Sequence, residues 1–493
     1  MSRLCLENLP LLPSVVLAPG YLGNHLPGVG IVHLGIGQFA KAHLACYTDT
    51  VLDQVGGDWR IVGASLRSNT SVKQLKPQDN LYTVTSESGE SLNKSSDPKS
   101  EFRVIGALAE VLAVQFGDRL KLLEYLLSPS TRIVSLTVTE KGYYQNAAGN
   151  LDIEQADIQA DLANPGEPLT AIGWLVLAIK LRREQGTPPF TPLALDNLIS
   201  NGAVLKRMVL EFSMHSDTGL GQYIEEHISF PSTMVDRIVP AVDAASLETT
   251  KARLGMIDQA CVHTELFSQW VVEDRFLSGR PQWELAGVIL CDDVTPFEIM
   301  KLRLLNGAHS CLAYLGVLLQ YNTVADCMND ASVRAYIEIM MRTEIQPLVS
   351  PPAGFDLDRY ITQLLMRFSN PGLRHRCEQI AMDGSQKIPQ RLLPVLEERL
   401  EHGLSVTYLI FAVSVWMVFV QRQDSLVDPR SSELKSLVQG ADPAELVARL
   451  IGTNIFSQRL QSSTLLLAGL TSTVTSISRL GVNTALDECL TED

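Results

Sequence analysis

The segment Gly30-Ile-Val-His-Leu-Gly35-Ile-Gly-Gln-Phe-Ala-Lys-Ala42 constrains this chain more than any other. An apolar run with β-branched residues at Ile31 and Val32 delivers Gly35-Ile36-Gly37-Gln38-Phe39-Ala40, which fits the G-x-G-x-x-A spacing of a dinucleotide turn between a strand and a helix. Each small residue has a physical role there. Gly35 permits the tight turn, Gly37 lets a pyrophosphate approach the backbone, and Ala40 lets the following helix pack closely with its free N–H groups aimed at phosphate. The spacing therefore predicts a nucleotide-binding α/β unit, with residues 35–40 as its cofactor contacts.

Further short β-branched runs at Arg60–Ala64, Arg103–Ile105, Ile133–Thr139 and Phe190–Leu195 read as parallel strands buried on both faces. Between the last two, Pro168, the apolar body Ala171–Leu181, the cations Lys180, Arg182 and Arg183, and Gly186 give the start and stop signals of a crossover helix. Beyond about residue 290 the strand signals end and helical periodicity runs on, cut by Pro351-Pro352, Pro371, Pro389, Pro429 and Gly440. The expected architecture is α/β: a Rossmann-type domain over 1–290, then a mostly α-helical domain over 291–493, with the active site in the cleft between them.

Charge and cysteine usage narrow the function. With 40 Lys plus Arg against 55 Asp plus Glu, the formal net charge is −15, which repels nucleic acid and anionic membrane. The 8 cysteines contain no C-x-x-C pair, so neither a zinc site nor a disulfide framework is expected. Reduced thiols and an amino-terminal stretch interrupted by Pro10 and Pro13 predict a cytoplasmic protein. The longest apolar run, Leu404–Val420, carries Ser405, Thr407 and Ser414 and is expected to be a buried core helix and not a membrane span.

Four places carry candidate chemistry. After the second strand comes Arg67-Ser68-Asn69 where a ribose-binding acid is expected, so Arg67 either meets a 2′-phosphate or adenine, or is a solvated loop arginine. In Glu298–His309, Lys301, Asn306 and His309 fall within roughly a 140° arc of one helix, but Lys301 and His309 lie about 12 Å apart along its axis. Convergence would need the lysine to bend or Gly307 to distort the helix. A desolvated lysine can act as general base, and Asn and His can donate to a developing alkoxide; spacing alone favours a solvated lysine and an Asn-Gly turn. Asp196-Asn197 ends a strand, where ligands of open sheets collect. Asp236-Arg237 lies in an apolar stretch as either a structural ion pair or a substrate clamp.

Taken together, IVHLGIGQFAKAH (31–43), DNLYTV (79–84), SLTVTEKGYY (135–144), LDNLISNG (195–202), TMVDRIVP (233–240), QWVVEDRF (269–276), MKLRLLNGAH (300–309) and MDGSQKIPQRLL (382–393) resemble the mannitol dehydrogenase family, the long-chain polyol and hexuronate dehydrogenases. The resemblance spans nearly the whole chain. It implies a metal-free oxidoreductase using NAD, with NADP as the alternative, and a small-molecule sugar acid or polyol as substrate in a monomer or weak oligomer. By the same resemblance Lys301 is the general base, Asn197 and Asn306 are oxyanion donors, His309 orients substrate and Glu298 relays protons. Val235 and Asp236 fall where the family touches substrate. Many relatives have His at Ala40 and Cys at Tyr144. RFSNPGLRHR and AMDGSQKIPQRLL look most like fructuronate reductases, ahead of mannitol 2-dehydrogenases and tagaturonate reductases, and Lys387, Arg374 and Arg376 are the cations that a substrate carboxylate would need. A silent nucleotide- or sugar-binding protein on the same scaffold is the non-enzymatic alternative.

Overall fold

The computed structural model describes residues 2–23, 26–87, 100–146, 148–352, 354–373 and 375–491. These fall into two compact units that divide between Thr295 and Pro296.

Among the described residues the first unit has strands β1 (Val29–Leu34), β2 (Arg60–Ser65), β3 (Tyr82–Glu87), β4 (Ser100–Ile105), β5 (Leu108–Ala113), β6 (Ile133–Leu136), β7 (Thr191–Ala194), β8 (Thr233–Asp236), β9 (Val262–Glu265), β10 (Gln269–Glu273) and β11 (Ile289–Cys291). Its main sheet is parallel throughout, in the order β5-β2-β1-β6-β7. Strand order reverses direction beside β1, and in such sheets the crevice beyond the carboxyl ends of the strands at that point is where ligands bind. The run Ile31–Leu34 is fully buried because helices cover both faces, which is why it reads as continuously apolar. One polar residue interrupts it. His33 is held by the hydroxyls of Ser135 (2.9 Å) and Thr137 (3.0 Å), and burial pushes its pKa down to about 4, so a neutral imidazole pins β1 to β6.

Two sequence expectations change here. Arg103–Ile105 is not in the parallel sheet: it belongs to β4, which pairs antiparallel with β3 in a separate sheet ordered β4-β3-β9. Arg103 reaches back to Asp49 (2.8 Å) and Thr50 (3.1 Å), a buried ion pair that a doubly covered strand would not accommodate. The place in the sheet is taken by β5, Leu-Ala-Glu-Val-Leu-Ala, whose residues favour helix; pairing with β2 overrides that preference, and Glu110 remains at the sheet edge beside Lys121 and Tyr125. The crossover helix is as expected, Ala171–Gln185, with Thr170 accepting from Gly173 N–H at 2.9 Å and Gly186 left-handed at its end.

The second unit has no strand among its described residues. Its centre is the helix Thr407–Arg422, buried from Tyr408 through Val420. This helix accounts for the apolar run, and among the described residues no helix is long and apolar enough to cross a membrane. Tyr314 packs tilted against its Phe419, with ring centroids 4.9 Å apart, which joins it to the equally buried helix Gly307–Leu318.

Candidate active site

In the first unit the turn after β1 is built as its glycines require. Gly35 has φ +95°, and a Cβ there would lie 2.1 Å from the carbonyl oxygen of Thr137, so any other residue collides with backbone. The turn is fixed by Gly35 N–H donating to Ala64 O (2.8 Å) and by the Thr137 hydroxyl donating to Gly35 O (2.8 Å). Gly37 differs. A Cβ on it would meet only Gly35 O, at 3.8 Å, so this α-carbon faces open space that a ligand can fill. The helix Gln38–Ala42 follows with no side chain capping its first N–H groups, and Ala40 is buried against the sheet. The cradle thus fits a dinucleotide pyrophosphate. Arg67, about two-thirds exposed, is paired with Asp157 (2.5 Å) and donates to the Tyr144 hydroxyl (2.6 Å). Among the described residues no three His, Cys, Asp or Glu side chains are grouped to hold a metal ion.

The end of β7 is locked by polar residues that flank Asn197. Asp196 accepts from Val138 N–H (3.1 Å), Thr139 N–H (2.9 Å) and the Tyr143 hydroxyl (2.9 Å), while burial raises its pKa despite those bonds. Asn201 closes the other side: its amide nitrogen donates to Asp196 O and Thr233 O (both 3.0 Å), and its oxygen accepts from Thr233 N–H (2.9 Å). The carboxyl end of β7 and the start of β8 are thereby held in register, which places Asn197 on one strand end and Val235 and Asp236, both buried, on β8. The Arg237 guanidinium donates to the carbonyls of Ala42 and Glu265 and to the Ser86 hydroxyl, bonds that tie the end of β8 to the neighbouring segments of the first unit.

In the second unit Glu298, Lys301, Asn306 and His309 are all buried on one continuous helical rod, but the rod is not regular. The helix Thr295–Met300 passes into a π-helical turn over Lys301–Asn306 and then into Gly307–Leu318, with Gly307 N–H donating back five residues to Leu302 O. A π turn takes up one extra residue, about 100° of rotation. That shift narrows the spread of Lys301, Asn306 and His309 from roughly 140° to about 60°, and brings Lys301 and His309 about 1.5 Å closer along the axis. About 10 Å of axial separation remains, so the Lys301 chain must still bend towards His309 for the two to converge.

His309 packs against Phe368 (centroids 4.7 Å) and edge-on against His375 (5.2 Å, 88°). Burial, and then the charges of His375, Arg367, Arg391 and Lys301, hold its pKa well below the usual histidine range, so the imidazole is neutral and one ring nitrogen donates. His375 is likewise lowered, by burial and then by Lys387. Lys387 is half-buried and donates to Ile380 O at 3.0 Å. Arg376 sits on the surface, paired with Glu378 at 2.5 Å. Arg374 lies outside the described residues.

These two halves match known proteins. Residues 29–285 match the mannitol dehydrogenase Rossmann domain, and 293–478 the mannitol dehydrogenase C-terminal domain. The chain belongs to the mannitol dehydrogenase family. It is an oxidoreductase of the kind that acts on secondary alcohols, as the family resemblance predicted. A D-mannonate oxidoreductase of Escherichia coli (strain K12) is 43% identical over 86% of this chain and 88% of its own length. A polyol:NADP oxidoreductase of Gluconobacter oxydans (strain 621H) is 35% identical over 90% and 92%. Among solved structures, the Pseudomonas fluorescens mannitol 2-dehydrogenase ternary complex with NAD and D-mannitol is 35% identical, with a TM-score of 0.86 and 100% of both chains covered.

Within this family frame, sequence reasoning missed the residues that hold the site in shape. Asn201 stands in the quoted LDNLISNG segment, and its Asn-Gly pair was a usable signal: a Cβ on Gly202 would lie 2.6 Å from Phe230 O, so the helix must touch the segment that leads into β8. His375 stood in the quoted RFSNPGLRHR and Arg391 in AMDGSQKIPQRLL, and neither had a signal beyond that resemblance.

Proposed function

We propose that this protein interconverts D-fructuronate and D-mannonate with NAD. The observation that carries the reading is the cationic surrounding of His309: Lys301, Arg367 and Arg391 act on it directly, and Lys387 acts on the adjoining His375. On a chain of net charge −15 such a concentration of positive charge suits a substrate carboxylate, and charge-assisted bonds to it are the stronger kind. Support also comes from the likeness to the mannonate oxidoreductase.

Residues 35–40 would hold the dinucleotide, which when bound supplies or accepts the hydride. In reduction the Lys301 ammonium donates its proton to the oxygen of the ketone as that oxygen becomes an alkoxide. Asn306 and the neutral His309 donate hydrogen bonds that fix the same oxygen, and Asn197 is assigned the same task in the first unit. Glu298, one turn before Lys301, returns a proton to the lysine after each turnover. Val235 and Asp236 contact the substrate chain, and Lys387 pairs with its carboxylate.

The test is NADH and NADPH oxidation with fructuronate, tagaturonate, fructose and xylulose. Fructuronate should exceed fructose in kcat/KM by about 10⁴-fold, because an ionic site left unpaired is costly. Lys387→Met should reduce the fructuronate value about 10- to 100-fold and the fructose value far less. Lys301→Ala should lower kcat by about 10²–10⁴-fold with NADH affinity unchanged. Equal efficiency on fructuronate and fructose would favour a mannitol 2-dehydrogenase, the activity named for the Pseudomonas fluorescens structure; NADH binding without turnover of any of the four would favour a silent binding protein.

A further inference from the structure

The helix Gly384–Arg391 runs along Gly307–Leu318 and is tied to it at both ends. At its start Gly384 is pressed on the Tyr314 hydroxyl, where a Cβ would come within 2.9 Å. At its end Arg391 grips the other helix twice. Its carbonyl oxygen lies 3.4 Å from where a Cβ on Gly307 would stand, an ordinary van der Waals approach of the two helices. Its guanidinium turns back to donate to the Ser310 hydroxyl (3.0 Å) and to the carbonyl oxygen of Asn306 (3.5 Å). Those partners flank the exit of the π turn. A π turn is less stable than the α-helix it interrupts and persists where surrounding contacts impose it.

We propose that Arg391 is a positioning residue that imposes the π turn Lys301–Asn306 from outside, through Asn306 O and Ser310, and thereby sets the mutual orientation of Lys301, Asn306 and His309. Its backbone packs beside Gly307. Its side chain binds the carbonyl of the last residue of the π turn and the hydroxyl of Ser310 in the turn beyond it, so the register downstream of Asn306, including His309, is fixed. Lysine cannot replace it fully, since both bonds leave one guanidinium nitrogen, Nη1, held in place by the rigid planar group, whereas an ammonium is a single point on a shorter, flexible stem. The inference rests on the acid–base reading of Lys301.

Arg391→Ala and Arg391→Lys, compared with the unmutated full chain, test it. Displacing reacting groups by about an ångström costs on the order of 10²-fold in rate. Arg391→Ala should therefore lower kcat by about 10²-fold on whichever ketone the protein reduces, with KM for NADH unchanged. Free guanidinium should restore part of it, and Arg391→Lys should fall between. Amide exchange at Leu304–Ser310 should accelerate at least about tenfold in Arg391→Ala, because the carbonyl and hydroxyl that anchor this turn lose their donor. A kcat within threefold of the unmutated protein, a loss confined to KM, no guanidinium rescue or unaccelerated exchange at Gly307 would overturn the proposal. If Arg391→Ala does not fold, the same four readings are taken on Arg391→Lys. Should the unmutated protein reduce none of the ketones, the functional reading fails, and the exchange measurement still decides the role of Arg391.

Discussion

Gly37→Ala separates the two glycines of the nucleotide turn by physics and not by motif. At Gly37 an added methyl meets only Gly35 O, at 3.8 Å, and the backbone is extended at φ −114°, which alanine adopts freely. The folded protein is therefore unstrained, and loss of glycine's excess chain entropy should leave stability unchanged or raise it by up to about 1 kcal/mol, with the melting temperature unchanged or slightly higher. The same methyl occupies the space through which a pyrophosphate would approach the helix Gln38–Ala42. Forcing one extra carbon into a filled contact costs about 1–3 kcal/mol, which is about 5- to 150-fold in NADH affinity. Gly35→Ala behaves oppositely. Its Cβ would stand 2.1 Å from Thr137 O at φ +95°, so the β1 and β6 ends must separate and stability falls with binding. The assay is NADH fluorescence titration beside thermal unfolding for both variants. Gly37→Ala binding NADH within threefold of the unmutated protein, at an unchanged melting temperature, would refute the assignment of the pyrophosphate to this turn.

Two further outcomes are expected. His33 is buried with its pKa lowered to about 4, so the unfolded chain takes up this proton first as pH falls below about 6.5; its stability contribution is present above that pH and lost towards pH 4, by up to about 3 kcal/mol. Urea unfolding between pH 4 and 7 should accordingly show a shallower pH slope for His33→Gln than for the unmutated protein, and equal slopes would remove His33 from the account. Arg67 is paired with Asp157, so Asp157→Asn should release it and raise kcat/KM with NADPH while that with NADH stays within about threefold; no gain with NADPH would show that Arg67 does not read a 2′-phosphate.

The chain's own pattern determined the elements whose signal is local. Gly35 and Gly37 follow a buried β-branched strand because a turn at φ +95° and an open α-carbon each require glycine, so the nucleotide cradle was legible residue by residue. The crossover helix Ala171–Gln185 was legible from Pro168 before it and Gly186 after it for the same reason: start and stop signals act on backbone groups within a few residues, and the structure adds Thr170 as the N-cap. The Lys301–His309 segment was only half legible. Its residue types suggested acid–base chemistry, yet on a regular helix Lys301 and His309 would lie about 12 Å apart along the axis, and by spacing alone the lysine read as solvated. What the segment did not reveal is the burial of Lys301 and the π turn, which no propensity in Lys-Leu-Arg-Leu-Leu-Asn encodes and which arises beside a second helix whose Arg391 lies 85 residues away. The strand β5 tells the same story, since its residues favour helix until pairing with β2 outweighs them. Long-range contacts of this kind depend on which surfaces meet after the chain has folded, and a side chain's neighbours in sequence carry no record of them.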